Sequence, residues 1–333
     1  MKIIAILRNQ RMFDILKEYA DLNNFGIIRY ADVKDFFADY SSYLSDDIYM
    51  VVNAGMDIGR DVLSLKNLKA VQQFGIGFEN VELDEAAKNR IPVFNVPTKG
   101  TANATSVAEL SMFYALALAR DYNGCINSIN HGIANEPMGI SLAGKKFGII
   151  GMGGIGLELI RLLKPFNTVI YGIKHSRPEK DYAKKLGIEF TGTFDDDFKI
   201  ILPELDFLIL ALPLNETTQN ILNGETIALL KKGSYVINVG RAGLIEKNAL
   251  MQALKSGRIK GAGLDVLWEE PAHIKDEIFH FNVIATPHIG GATESSIHDI
   301  ARVCIENLKN YIAHKSLINC VNSEALSQKT AGR

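Results

Sequence analysis

At 333 residues the chain is longer than one ordinary hydrophobic core serves, and two domains fit it better. Its composition, 47% hydrophobic and 22% charged with no apolar run long enough to span a bilayer, is that of a globular protein with no membrane partner, and a cytoplasmic location is the default expectation. Lys plus Arg total 36 against 38 for Asp plus Glu, so no cationic excess points to a nucleic acid or an anionic membrane, and any anionic ligand must be steered by local charges.

The opening "MKIIAILRNQRMFD" lacks the apolar core and small-residue cleavage site of a signal peptide, and its "KIIAIL" reads as a first strand. Further short β-rich runs fall at 26–30, 47–52, 69–73 and 91–96, with a helical pattern at 11–22 between the first two. Such alternation predicts a parallel sheet covered by helices on both faces. Pro97 and Gly100 then break the pattern before a long apolar helix that runs to about Arg120. That helix is too apolar for a wet surface, so the expectation is a connector between domains or a subunit interface, with its Glu109 as a capping or paired carboxylate.

The most informative stretch is Gly144 to Pro178. An apolar strand at 146–150 leads into Gly151-Met-Gly-Gly-Ile-Gly156, and helical periodicity follows over 157–166. In a strand, turn, helix, strand unit of about thirty residues this G-x-G-x-x-G is a dinucleotide-binding signature. Gly151 serves the tight turn, Gly153 the close approach of backbone to a pyrophosphate, and Gly156 the packing of helix on sheet. The helix N-terminus that begins at Gly154 and Ile155 offers N–H groups and a positive dipole end to the phosphates.

Strands are predicted next at 167–172, 206–212, 234–239, 259–264 and 282–285. Polar constellations follow the ends of three of them, where open α/β sheets bind ligands. Arg241 follows Val239 and Gly240, Asp265 and Glu270 follow Leu264, and His288 follows Ala285. A last helical pattern, 293–314, places Ile297, Ile300, Ala301, Cys304, Ile305, Leu308 and Ile312 on one face, and is expected to return to the first domain. The tail "SEALSQKTAGR" is polar and expected to be disordered. No internal repeat or low-complexity tract is present. Cys125, Cys304 and Cys320 are far apart and form no C-x-x-C pair, which argues against a zinc site, a disulfide framework and a redox motif.

In order along the chain stand "QFGIGFENVELDEAAKNRIPVFNVP", "NATSVAELSMFYALALAR", "GIIGMGGIG", "LPLNETTQNIL", "NVGRAGLIE", "LDVLWEEP" and "TPHIGGAT". In wording and spacing this series resembles the D-isomer-specific 2-hydroxyacid dehydrogenases. The resemblance implies an α/β fold of two doubly wound parallel-sheet domains. A Rossmann nucleotide-binding domain, 99–288, is inserted into a discontinuous flavodoxin-like substrate domain, 1–98 and 289–333. It also implies a cytoplasmic, homodimeric oxidoreductase that uses NAD(P) and a small 2-oxoacid or D-2-hydroxyacid, with no metal. Rival readings are a nicotinamide-sensing corepressor-like protein, or a formate- or phosphite-type dehydrogenase; Glu270 counts against the formate type, which replaces the glutamate.

By the same resemblance the catalytic residues are Arg241, Glu270 and His288. Arg241 can hold and polarise an oxoacid with its planar fork of donors, His288 can exchange a proton with the carbonyl oxygen, and Glu270 can fix the imidazole tautomer. Substrate contacts are expected from Gly75, Ile76 and Gly77, with Asn53 and Ala54 as neighbours, besides Arg241 and His288. Asp265 is expected to face the nicotinamide, Leu212, Pro213 and Thr218 to flank the adenosine, and Val239, Gly240, Arg241, His288 and Gly290 to complete the cofactor site.

One departure carries an expectation of its own. The fingerprint wants an acid about twenty residues on, to take the ribose 2′-OH. Eighteen residues past Gly156 the chain has Lys174, followed by His175 and Arg177. These cations suit a 2′-phosphate, and the expected preference is NADP(H) over NAD(H).

Overall fold

In a computed structural model that describes residues 2–43, 48–315 and 317–328, the chain divides into two compact units, 1–103 with 294–333 and 104–293. The first unit is built on five strands, β1 (Lys2–Ile6), β2 (Gly26–Tyr30), β3 (Ile48–Asn53), β4 (Val71–Gln73) and β5 (Val93–Phe94). They are all parallel, in the order β2-β1-β3-β4-β5. This is the flavodoxin-like order, with its switch point between β1 and β3.

Helix Gln10–Leu22 starts at Asn9, whose side chain accepts from the N–H of Met12, an N-cap that satisfies one of the helix's free donors. It buries Ile15, Leu16 and Ala20 in one cluster with Ile297, Ile300, Ala301, Cys304, Ile305 and Leu308 of helix Glu294–Ile312, so the apolar face read from the sequence is the one that packs. The chain after that helix stays tied to this unit. Val321 N donates to Val93 O, the Asn322 side chain bonds Val93 N and Ile91 O, and Ser323–Gln328 forms a helix. The expectation of a disordered tail is therefore corrected over 323–328, where Asn322 anchors the chain; the remaining tail residues lie outside the described ones.

The second unit has seven parallel strands: β6 (Lys146–Ile150), β7 (Val169–Lys174), β8 (Phe190–Thr193), β9 (Phe207–Leu210), β10 (Ser234–Asn238), β11 (Ile259–Leu264) and β12 (Val283–Ala285). Their order is β12-β11-β10-β9-β6-β7-β8, which is the Rossmann order with one strand added at an edge and the switch point between β6 and β9. The inner strands are nearly continuous apolar runs, as strands covered on both faces must be, and every residue of β9 and β10 is buried. Phe147, Phe207 and Tyr235 stack across β6, β9 and β10, with centroids 4.6 and 4.8 Å apart. Each such pair adds about 0.5–1.5 kcal/mol beyond its area. β8, an edge strand of mixed "FTGT", has too little apolar content to have announced itself in the sequence.

The long apolar helix is Asn103–Ala119, and it is a sheet-covering element of the second unit. Val107, Ala108, Met112, Tyr114, Ala115 and Leu118 pack on Phe147, Ile149, Phe207, Ile209 and Ile237. Glu109 is exposed and among the described residues neither caps nor pairs, so that expectation is corrected: the helix leaves it on the solvent face. The boundaries of the units fall a few residues beyond 98 and 288 for a local reason. Ala102 N donates to Asp299 and Asn103 to Ser296, which keeps this turn with the first unit, while Ile289 and Gly290 donate to Asp265 in the second.

Candidate active site

The glycine turn sits between β6 and helix Gly154–Leu163, at the switch point of the seven-stranded sheet. Gly151 has φ +104°, a conformation L side chains avoid, and a Cβ there would lie 2.4 Å from Ala211 O. A Cβ on Gly156 would meet Gly151 O at 2.1 Å, so only hydrogen lets the helix start against its own turn. Gly153 is different, because a Cβ there would meet nothing within 4 Å. It is also the N-cap, without a side-chain cap bond. An open, uncapped helix start between two sterically closed glycines fits a dinucleotide pyrophosphate, with Gly153, Gly154 and Ile155 as the backbone that would hold it.

β7 ends at Lys174, which pairs in register with Thr193 at the end of β8. The Lys174 ammonium lies 5.0 Å from the Tyr182 ring centroid. His175 is exposed, and Arg177 makes a 2.8 Å ion pair with Asp196. The sequence reading missed this acid. It lies in the turn after β8, a strand whose pairing with β7 only the sheet revealed.

Beyond β9, Leu212 is buried and Pro213 exposed. The Thr218 hydroxyl donates to Pro213 O at 2.8 Å and accepts from Asn215 N at 2.8 Å. Its polar group is thus used inside the turn, where it shapes the loop that Leu212 and Pro213 begin. Gly240 lets the end of β10 approach the end of β9, since a Cβ there would lie 2.7 Å from Leu212 O.

The ends of β10, β11 and β12 carry the three residues expected to be catalytic. Asn238 is buried and clamps the turn that follows it: its Oδ1 accepts from Gly240 N at 3.1 Å and its Nδ2 donates to Arg241 O at 2.9 Å. Arg241 also donates from its guanidinium to Gly240 O at 2.8 Å. Asn238 was not foreseen, although an Asn at a strand end two residues before a Gly is a recognisable Asx-turn signal.

Across the site, His288 Nδ1 lies 3.0 Å from Glu270 Oε2, while Glu270 Oε1 accepts from Leu267 N at 3.1 Å. Burial works against ionisation of Glu270. The bond from His288, the charge of His288, the Leu267 N–H and the charge of Arg241 outweigh it and hold its carboxyl below the ordinary 4.5. With Nδ1 committed to Glu270, Nε2 is the ring atom left to exchange a proton. His288 itself sits at φ +56°, an uncommon conformation for a residue with a Cβ. Asp265 is buried and accepts from Ile289 N and Gly290 N, each at 2.8 Å, on the loop that carries His288.

The first unit holds the expected substrate loop. Gly75 has φ +142°, its carbonyl accepts from Val96 N at 2.8 Å, and Ile76 O accepts from the Asn95 side chain at 2.9 Å. Ala54 and Gly77 are partly exposed. The Asn53 side chain is fully buried and donates to Met56 O at 2.8 Å, so what this region offers is backbone, and the Asn53 side chain is withdrawn from any ligand. Among the described residues no cluster of His, Cys, Asp and Glu could hold a metal, no helix is long and apolar enough to cross a membrane, and the three cysteines are free thiols.

This is the geometry of a dinucleotide-binding α/β protein that presents a carboxylate–imidazole pair and an arginine at adjacent strand ends. Residues 112–290 match the family described as D-isomer specific 2-hydroxyacid dehydrogenase, NAD binding domain. The chain is 34% identical over 293 residues to a D-3-phosphoglycerate dehydrogenase of Methanocaldococcus jannaschii, a match that covers 87% of this chain and 54% of that protein. It is 34% identical to a hydroxypyruvate reductase of Thermotoga maritima, with 78% and 83% covered. The structure of D-lactate dehydrogenase from Escherichia coli superposes with a TM-score of 0.80 at 25% identity, over 96% of this chain and all of that one. The chain belongs to the D-isomer-specific 2-hydroxyacid dehydrogenase family, and it spans about half the length of its phosphoglycerate dehydrogenase relative.

Proposed function

We propose that this chain is an oxidoreductase that interconverts a small 2-oxoacid and the D-2-hydroxyacid with a nicotinamide cofactor. The observation that carries the reading is the 3.0 Å bond between Glu270 and His288 Nδ1, which leaves a proton-exchanging Nε2 on the loop after β12. A bound reduced nicotinamide supplies the hydride. Arg241 holds the oxoacid carboxylate and polarises the neighbouring carbonyl. His288 gives its proton to the carbonyl oxygen as that oxygen takes up negative charge, and takes it back in the oxidative direction. Glu270, bonded to Nδ1, fixes the ring and its tautomer. Gly75, Ile76 and Gly77, with Ala54, serve the substrate through backbone N–H groups. Substrate candidates are glyoxylate, hydroxypyruvate and phosphohydroxypyruvate, the first two supported by relatives named for glyoxylate and hydroxypyruvate reduction. Turnover of a panel of these with pyruvate and phenylpyruvate, each with NADH and NADPH, tests the reading, and no turnover of any of them rejects it.

NADP(H) is the favoured cofactor in this reading, because Lys174 ends β7 in the slot of the ribose-reading acid and Arg177 lies three residues on. Lys174→Asp should move the NADPH/NADH ratio of kcat/KM toward NADH by about tenfold or more, the worth of one charge-assisted hydrogen bond. A wild type that favours NADH overturns the preference.

A homodimer in the cytoplasm completes the reading. Phe113, Leu116, Tyr122, Ile126, Ile129 and Met138 are exposed large apolar residues within one short stretch of the second unit, a concentration that favours burial by a second copy. Light scattering of the full chain checks it, and a monomer at micromolar concentration would reject it.

A further inference from the structure

Asp265 is a carboxylate only 3% exposed, and among the described residues it has no ion-pair partner. Its charge is met by three donors: Ile289 N and the Thr286 hydroxyl, at 2.8 and 2.6 Å from Oδ1, and Gly290 N at 2.8 Å from Oδ2. All three lie within two residues of His288. The backbone of the same loop closes back as well, with His288 N donating to Asp265 O at 2.8 Å and to Thr286 O at 3.0 Å. A loop that holds a histidine in the left-handed region needs such support, because that backbone is disfavoured for a residue with a Cβ.

The chain of bonds continues inward. The Thr286 hydroxyl also meets the hydroxyl of Tyr114, a fully buried ring on helix Asn103–Ala119. Because Thr286 gives its one proton to Asp265, the Tyr114 hydroxyl is the donor to Thr286. Burial, with the Asp265 charge behind Thr286, pushes the Tyr114 hydroxyl well up, so it keeps its proton throughout the working range. Two glycines make room for the assembly: a Cβ on Gly263 would lie 2.6 Å from the Tyr114 ring, and one on Gly290 would lie 2.7 Å from Asp265 Oδ2.

We infer that Tyr114 and Thr286 are positioning residues for His288, acting through Asp265; the inference rests on the proposed role of His288 as the proton-exchanging group. Tyr114 fixes the Thr286 hydroxyl, Thr286 fixes the Asp265 carboxylate, and Asp265 fixes the two N–H groups that follow His288. Three of the roughly four acceptor sites of the carboxylate are thereby taken, which leaves one on Oδ2 for a ligand.

The test uses the full chain and the 2-oxoacid that turns over best. Thr286→Val removes the hydroxyl at constant shape and should lower kcat roughly ten- to a hundredfold, the cost of a misplaced catalytic group. KM and the Kd of the reduced cofactor should stay within about threefold, as for a group felt only in the transition state. Thr286→Ser should restore kcat, and Tyr114→Phe should lower it several-fold. In hydrogen exchange the Ile289 and Gly290 amides of Thr286→Val should exchange at least about tenfold faster, as a loosened loop must. Unchanged kcat in Thr286→Val, a loss that serine does not restore, or a loss confined to cofactor Kd overturns the inference. His288→Ala separates the two layers. If that variant turns over normally the reading of His288 fails, and amide exchange then decides alone whether Thr286 and Tyr114 hold the loop.

Discussion

The two units follow one topological rule and support their functional loops in opposite ways. In the second unit the residues proposed to act are side chains, and each rides on a turn clamped by a buried polar group: Asn238 for the Arg241 turn, Asp265 for the His288 loop. The two clamps are joined, since Asp265 N donates to Asn238 O at 3.0 Å. In the first unit the Gly75 loop is proposed to serve through its backbone. It is held by main-chain bonds and one amide from Asn95, while among the described residues the buried Asn53 and Gln73, at the ends of β3 and β4, leave Oδ1 and Nε2 respectively without a hydrogen-bond partner. The difference follows from what is presented. A side chain must be aimed, and aiming requires fixing its Cα and its rotamer, whereas backbone N–H groups are aimed as soon as φ and ψ are set.

The comparison breaks most sharply at His288. His288→Ala should lower kcat by roughly two to four orders of magnitude with little change in cofactor affinity, because proton transfer is lost and the dinucleotide turn is untouched. Stopped-flow turnover and fluorescence titration check it, and near-normal turnover removes His288 from the chemistry. Next in size is Arg241→Lys, which keeps the charge but loses the planar fork. A drop of roughly ten- to a hundredfold in kcat/KM for the oxoacid is expected, about one charge-assisted bond. An effect confined to cofactor KM would move Arg241 to the cofactor.

The first unit should answer to backbone chemistry instead. Gly75→Ala meets no steric neighbour, so its whole cost is conformational, roughly 1–3 kcal/mol at φ +142°. Thermal unfolding should register that loss, and the oxoacid KM should rise with it. If stability and KM both stay at the wild-type values, the loop is not a rigid backbone platform.

The smallest effect concerns pH. Glu270 is held below its ordinary value in the folded chain, so its contribution to stability is complete above about pH 4.5 and is lost as pH falls through the lowered folded value. Glu270→Gln should therefore unfold at a lower temperature than the wild type by a constant margin above that pH, and the margin should shrink below it. A margin that grows on acidification would show that the group is not stabilised as a carboxylate. The side chain is 41% exposed, so the margin should be small.

Much of this arrangement could be read in advance wherever the physics is local. Apart from β8, the strands of both sheets announce themselves as short apolar runs, and the glycine turn and the apolar face of Glu294–Ile312 follow from periodicity and backbone sterics within a few residues. What could not be read depended on partners far along the chain or on how a turn closes. Ser323–Gln328 looks like a solvated tail until Asn322 is seen bonded to Val93 and Ile91. The bond from the Thr218 hydroxyl to Pro213 O is visible only once the turn is folded. Arg177 looks like an unpaired cation until β8 brings Asp196 beside it.

By itself the sequence determined the alternation of strand and helix, the helix start left open at Gly153, and the residue types able to grip an oxoacid and exchange a proton, because backbone propensity and side-chain chemistry are properties of a residue and its near neighbours. Only the tertiary structure decided which polar groups are free to act and which are spent holding others. Tyr114 and Thr286 stand 172 positions apart and Asp265 and Gly290 25 apart, and a hydrogen bond or a desolvated charge exists only once folding has closed those distances.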